Sequence, residues 1–153
     1  MQLDDTAHIL GSADFFSICN LEQRRMLAFA SEWIKLKEGD VLFRAGQISP
    51  GAYVLISGEL LSTHMELPNA KPVLIDKPGT VIAELALIVK RPRRADVVCK
   101  SDVQLLMVPR SAFSKIMQQF PDIAVKAEAM VRSEMTKYIS SIEEAKKIVG
   151  IKK

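Results

Sequence analysis

Between Trp33 and Arg110 the chain is broken at short intervals by Gly39, Gly46, Gly58 and Gly79, with apolar alternation between them. No other feature limits the fold as strongly. WIKLKEGDVLFRAG, AYVLISGELLSTHM and KPVLIDKPGTVI read as short strands joined by tight turns. RADVVCKSDVQLLMVPR adds two more, with Lys100-Ser101-Asp102 as the turn. Roughly seven or eight short strands within 34–110 predict an antiparallel barrel or jelly roll.

The period changes on both sides of this region. Over 14–33, Phe15, Ile18, Leu21, Met26, Leu27, Phe29 and Ala30 recur at roughly helical spacing, and Asn20 stands where an N-cap would. A short helix followed by a longer one is expected there. Over 111–149, SAFSKIMQQF reads as a helix stopped near Pro121, and Asp122 to about Val149 contains no Gly or Pro and reads as one long helix. The expected class is mainly β with flanking helices: an antiparallel jelly-roll-like β-barrel, N-terminal helices and a long C-terminal helix. With 153 residues, 48% of them hydrophobic, 1–153 is expected to form one domain.

Val131, Met135, Tyr138, Ile142, Ala145 and Val149 follow heptad steps along the last helix. Before Lys137, packing on the same subunit and pairing with a second copy are equally open. Beyond it a small barrel runs out of surface, so a homodimer through the C-terminal helix is expected.

The net charge of +3 attracts an anionic ligand but falls short of a nucleic-acid surface. Cys19 and Cys99 lie far apart with no CxxC, which excludes a structural zinc site or a four-cysteine cluster, and His8 and His64 are too few for a cupin-type metal centre. The N-terminus carries acids where a secretory signal carries lysines, and no run of eighteen apolar residues occurs. A soluble, cytoplasmic protein with reduced thiols is expected, without membrane attachment. No nucleophile-base constellation is visible, so the expectation is a non-enzyme with no cofactor and no metal.

The chemistry concentrates in Val81 to Ala95, VIAELALIVKRPRRA, where Glu84 precedes Arg93 by nine positions. A carboxylate only accepts hydrogen bonds and suits a sugar hydroxyl, whereas a guanidinium is a fixed fork of donors and suits a phosphate. Together they point to a nucleotide. The bland alternative is a surface ion pair worth about 0–1 kcal/mol. The basic run Lys90-Arg91-Pro92-Arg93-Arg94 reads as a solvated loop beside a phosphate site rather than a nucleic-acid patch.

The order of these parts, from Phe15 to Tyr138, resembles the cyclic nucleotide-binding domain of catabolite-activator-type regulators, kinase regulatory subunits and gated channels. The most specific likeness is the phosphate-binding cassette at 79–95. The family pattern Phe-Gly-Glu-Leu-Ala-Leu, then Pro-Arg and two small residues, stands here as Ile82-Ala83-Glu84-Leu85-Ala86-Leu87 and Pro92-Arg93-Arg94-Ala95. The resemblance implies that Glu84 accepts the ribose 2′-hydroxyl and that Arg93 pairs with the cyclic phosphate. A short helical turn after Ala83 would present backbone N–H groups, Leu85 and Ala86 would bind through backbone, and Leu87 would face the core. The base of cAMP or cGMP would stack on the last helix near Val131 and Met135.

Three positions depart from the pattern: Ala83 replaces a glycine, Arg94 a small residue, and Asp96 follows where a threonine is usual. A methyl at Ala83 obstructs the site if the backbone there needs positive φ. Arg94 either reinforces phosphate binding or points to solvent, and Asp96 could neutralise either arginine. No winged helix-turn-helix follows the long helix, which argues against direct DNA binding by this chain. The expected function is a stand-alone cyclic-nucleotide sensor coupled to movement of the C-terminal helix, with an unspecified downstream protein partner. The alternatives are a dimerising module of the same fold that has lost its ligand, or the sensor fragment of a longer transcription regulator.

Overall fold

The computed structural model describes residues 3–64 and 71–148. Helix α1 (Leu3–Ser12), a 3-10 turn (Asp14–Ile18) and α2 (Leu21–Ala30) precede eight antiparallel strands. These are β1 (Glu32–Leu36), β2 (Val41–Phe43), β3 (Gly51–Ser57), β4 (Leu60–His64), β5 (Val73–Ile75), β6 (Val81–Ile82), β7 (Ala95–Cys99) and β8 (Val103–Pro109). Helices α3 (Arg110–Gln119) and α4 (Pro121–Ile148) follow. The strands form two four-stranded sheets, ordered β1-β8-β3-β6 and β2-β7-β4-β5. This is the jelly-roll arrangement expected from the glycine-punctuated middle.

The entry to α2 follows local chemistry. Asn20 Oδ1 accepts from the Gln23 N–H at 2.8 Å, and Gln23 Oε1 accepts from the Asn20 N–H at 2.9 Å, closing a capping box. The cap contributes about 1 kcal/mol. The helix ends at Ala30, and Ser31 turns extended (φ −82, ψ 154). Trp33 therefore lies in β1, opposite Leu106 of β8, and not in the helical segment 14–33 expected for it. The strand partner outweighs the helical spacing of its neighbours. Helix α1 lies upstream of that segment altogether; its buried face is only Thr6, Ala7 and Leu10, too sparse to stand out as a stripe.

Strands β3 and β8 pair from Gly51↔Pro109 to Ser57↔Gln104 and divide the interior in two. Ala52, Val54, Leu106 and Val108 face a core built with the helices, centred on Phe16, Phe113 and Ile116. Tyr53, Leu55, Val103, Leu105 and Met107 face the barrel interior with Phe43, Leu60, Ile82, Ala83 and Ala86. The period of two along each strand sends alternate residues to opposite cores, so both strands are apolar almost throughout. Gly51 is required by closeness, since a Cβ there would stand 1.9 Å from the Val108 carbonyl oxygen. At Gly58 φ is +99, and a Cβ would stand 2.3 Å from the Asp102 carbonyl.

Pro121 opens α4, where its missing N–H costs nothing. Ile123, Ala127 and Val131, at steps of four, are buried in the helical core. Val131, the first residue of the heptad stripe, thus packs on its own subunit. Met135 is already 36% exposed. The side chains of Tyr138, Ile142 and Ala145, and all of Val149, lie outside the described residues.

Candidate functional site

Strand β6 ends against β3, with Ile82 opposite Tyr53, and the chain then turns sharply. Ala83 takes the left-handed conformation (φ 67, ψ 36), and Glu84–Leu87 form one 3-10 turn. The short helical turn expected after Ala83 is therefore present, and the positive φ that a glycine would supply is held by an alanine. The turn is wedged between the two cores. Ala83 and Ala86 are buried on the barrel side, Leu87 is fully buried on the helical side, and Leu85 packs there too. Glu84 and Leu85 are half-buried.

The proposed backbone donors are not equivalent. The Ala86 N–H donates to the Ala83 carbonyl at 2.9 Å, which closes the turn and commits the group inside it. That bond runs counter to the expectation that Ala86 offers its N–H to a phosphate.

Arg93 is brought to the same side of the barrel by main-chain bonds. Its N–H donates to the Gln47 carbonyl at 2.6 Å, and its carbonyl accepts from the Gly46 N–H at 2.8 Å. The Arg93 guanidinium carbon lies 5.0 Å from the centre of the Phe43 ring. Such a contact contributes about 0.5–2 kcal/mol and limits where the fork can point. Phe43 in turn meets Tyr53 edge-on at 5.3 Å. Because Phe43, Tyr53, Ala83 and Ala86 share the barrel core, the cassette turn and the arginine end on one apolar floor.

The remaining cassette positions separate. Arg94 is exposed and Ala95 is buried. Asp96 Oδ1 accepts from the Ala45 N–H at 2.6 Å, and Oδ2 lies 3.9 Å from Arg44 Nη1, so Asp96 ties the loop after β2 to the start of β7. Burial pushes the Tyr53 phenol above its ordinary pKa, a Ser49 hydrogen bond opposing the shift. Val131 belongs to the helical core and Met135 is exposed, so neither shares the barrel core with Ala83 and Ala86.

One residue at the site has no counterpart in the sequence reading. Arg110, the first residue of α3, donates from Nε to the Ala86 carbonyl at 2.8 Å and from Nη2 to the Ser49 carbonyl. Its main-chain N–H donates to the Pro50 carbonyl at 2.8 Å. A signal did exist: a cation at a helix N-terminus opposes the macrodipole, and α3 has no acid in its first turn to offset it.

Residues 33–120, most of the barrel with α3, match the family model of the cyclic nucleotide-binding domain. The chain belongs to that family. Among solved members of the fold, a cyclic nucleotide-binding-like protein from Brucella abortus bv. 1 str. 9-941 is 32% identical, covering 75% of this chain and 99% of that one, with a TM-score of 0.62. The regulatory domain of Toxoplasma gondii PKA, solved with cAMP, shares the cyclic nucleotide-binding fold at 22% identity, over 84% of this chain and 50% of that one, with a TM-score of 0.67. Lysophospholipase nte1 of Aspergillus niger is 28% identical over 109 residues, which are 70% of this chain. The chain spans about 7% of the length of such curated relatives. Among the described residues no helix is long and apolar enough to cross a membrane.

Proposed function

We propose that this cyclic nucleotide-binding domain is a non-enzymatic sensor of cAMP or cGMP. Glu84 accepts the ribose 2′-hydroxyl, the Arg93 fork takes the cyclic phosphate, and the N–H groups at the start of the Glu84–Leu87 turn assist. The observation that carries the reading is the convergence of the Ala83–Leu87 turn and the Arg93 side chain on the Phe43–Tyr53 floor. Occupancy is reported through α3 and α4, because a ligand shifts an equilibrium only by its differential affinity for the two states. Pairing of two copies along the distal part of α4 is part of the same proposal, as is a cytoplasmic location.

Isothermal titration with cAMP and with cGMP, alongside Glu84→Ala and Arg93→Ala, tests it. Absence of heat with the wild-type protein sinks the reading. A second reading, a dimerising module without a ligand, is favoured by the left-handed alanine and by the committed Ala86 N–H. It predicts no thermal shift with either nucleotide. A ligand at one hundred times its dissociation constant adds about 2.7 kcal/mol. The likeness to one segment of much longer lysophospholipases favours a regulatory role beside other domains, and the Brucella abortus relative, covered almost end to end, favours a small independent module.

A further inference from the structure

We propose that Arg110 is a positioning residue, a strut that fixes the cassette turn to the first turn of α3 and to the loop before β3. One side chain and its own amide hold three carbonyls from two separate loops: Ala86, Ser49 and Pro50. The residue thus binds three neutral main-chain dipoles. It does so at a helix N-terminus, where a cation is disfavoured. A site that bears this cost needs a return, and the planar fork supplies it: Nε and Nη2 of one rigid group each donate to a different carbonyl.

The consequence is mechanical. Ser49 and Pro50 lie in the loop whose Gly46 and Gln47 grip the Arg93 main chain, and Ala86 lies in the turn that begins with Glu84. Both halves of the nucleotide site are thereby anchored to the residue from which α3 starts. Ser49 is 1% exposed, and its hydroxyl donates to the Gly51 carbonyl at 2.6 Å, so the far end of the strut is itself held. Any displacement of the turn must either carry the first turn of α3 with it or break the Arg110 to Ala86 bond. The strut carries the displacement to α3 for as long as that bond holds, and this is the coupling between the two places that we infer.

The inference rests on the cyclic-nucleotide reading for its ligand, but its test is also run without one. Amide resonances of the whole chain are followed in wild type, Arg110→Lys and Arg110→Met while cAMP is added, and again in each background with Ala83→Gly as the disturbance of the turn. With Arg110 present, both disturbances are expected to move the amides of Glu84–Leu87 and of Ser111–Phe113. In Arg110→Lys the cassette amides still move, while the α3 response shrinks by about threefold or more. Melting curves check that Arg110→Lys remains folded should Arg110→Met not be. An α3 response of equal size with and without Arg110 overturns the strut, as does an α3 that fails to respond to Ala83→Gly in wild type. If cAMP and cGMP move nothing in wild type, the ligand reading fails and the Ala83→Gly comparison alone decides.

Discussion

Ala83→Gly separates backbone strain from packing at the cassette. Among the described residues Ala83 alone holds a positive φ without being glycine. The left-handed conformation costs an L-residue roughly 1–2 kcal/mol, which glycine would relieve. Two effects oppose the relief. Glycine gives the unfolded chain extra freedom worth about 0.4–1 kcal/mol. The methyl group is also lost from a residue only 8% exposed, and its burial is worth about 0.8 kcal/mol. The sum is close to zero, within about 1 kcal/mol, which for a chain of this size leaves Tm within about 4 °C of wild type. Affinity has no such cancellation. If the methyl crowds the sugar, its removal relieves about 1–3 kcal/mol, and Kd for cAMP should tighten by about fivefold to a hundredfold. Differential scanning fluorimetry and isothermal titration read the two quantities separately. A fall in Tm beyond about 8 °C would show that the methyl acts as packing and that the strain argument is wrong. An unchanged Kd would show that it does not face the ligand.

Arg93→Met should weaken cAMP binding about 100-fold and Glu84→Gln about tenfold, because a charged bond to phosphate exceeds one to a hydroxyl; titration calorimetry gives both. Gly58→Ala combines a φ of +99 with a Cβ 2.3 Å from the Asp102 carbonyl, so Tm should fall by about 6 °C or more in a thermal melt. Burial raises the Cys19 thiol from its ordinary 9.0 to about 11. Between those values the unfolded chain releases a proton that the folded chain retains, so stability is intact below the lower value and falls as pH rises toward the upper. The slope from this thiol is at most about 1.4 kcal/mol per pH unit. Urea melts from pH 8.5 to 10.5 should therefore be flatter in Cys19→Val than in wild type.

The barrel was readable because its turns demand particular residues. Gly39, Gly46 and Gly58 all have positive φ, and a residue with that requirement is visible in one sequence without its partners. Asn20 was readable for a similar reason, since a cap acts over three residues. What escaped depends on distant neighbours. Trp33 becomes a strand residue because β8, some seventy positions later, offers it a partner at Leu106. The same holds at the site. Glu84 and Arg93 stand in a recognisable string, but Arg110 acquires its role from carbonyls at Ser49, Pro50 and Ala86, which carry no side-chain signature. Val131 belonged to a stripe that suited a base, a dimer and a core equally well; burial against the helices assigned it to the core.

The partition made by β3 and β8 bears on how the chain is born. Strand β8 sends Leu106 and Val108 to one core, Val103, Leu105 and Met107 to the other, and pairs with both β1 and β3. Its partners precede it by tens of residues, so the contacts that seal each interior are non-local, and closing such loops is slow. During synthesis neither core can shut until Pro109 has left the ribosome. Up to that moment Leu55 and Leu60 lack the β8 side chains that cover them in the fold, and Phe16 waits longer still, for Phe113. The most buried strand is thus also the one that times the folding of everything before it.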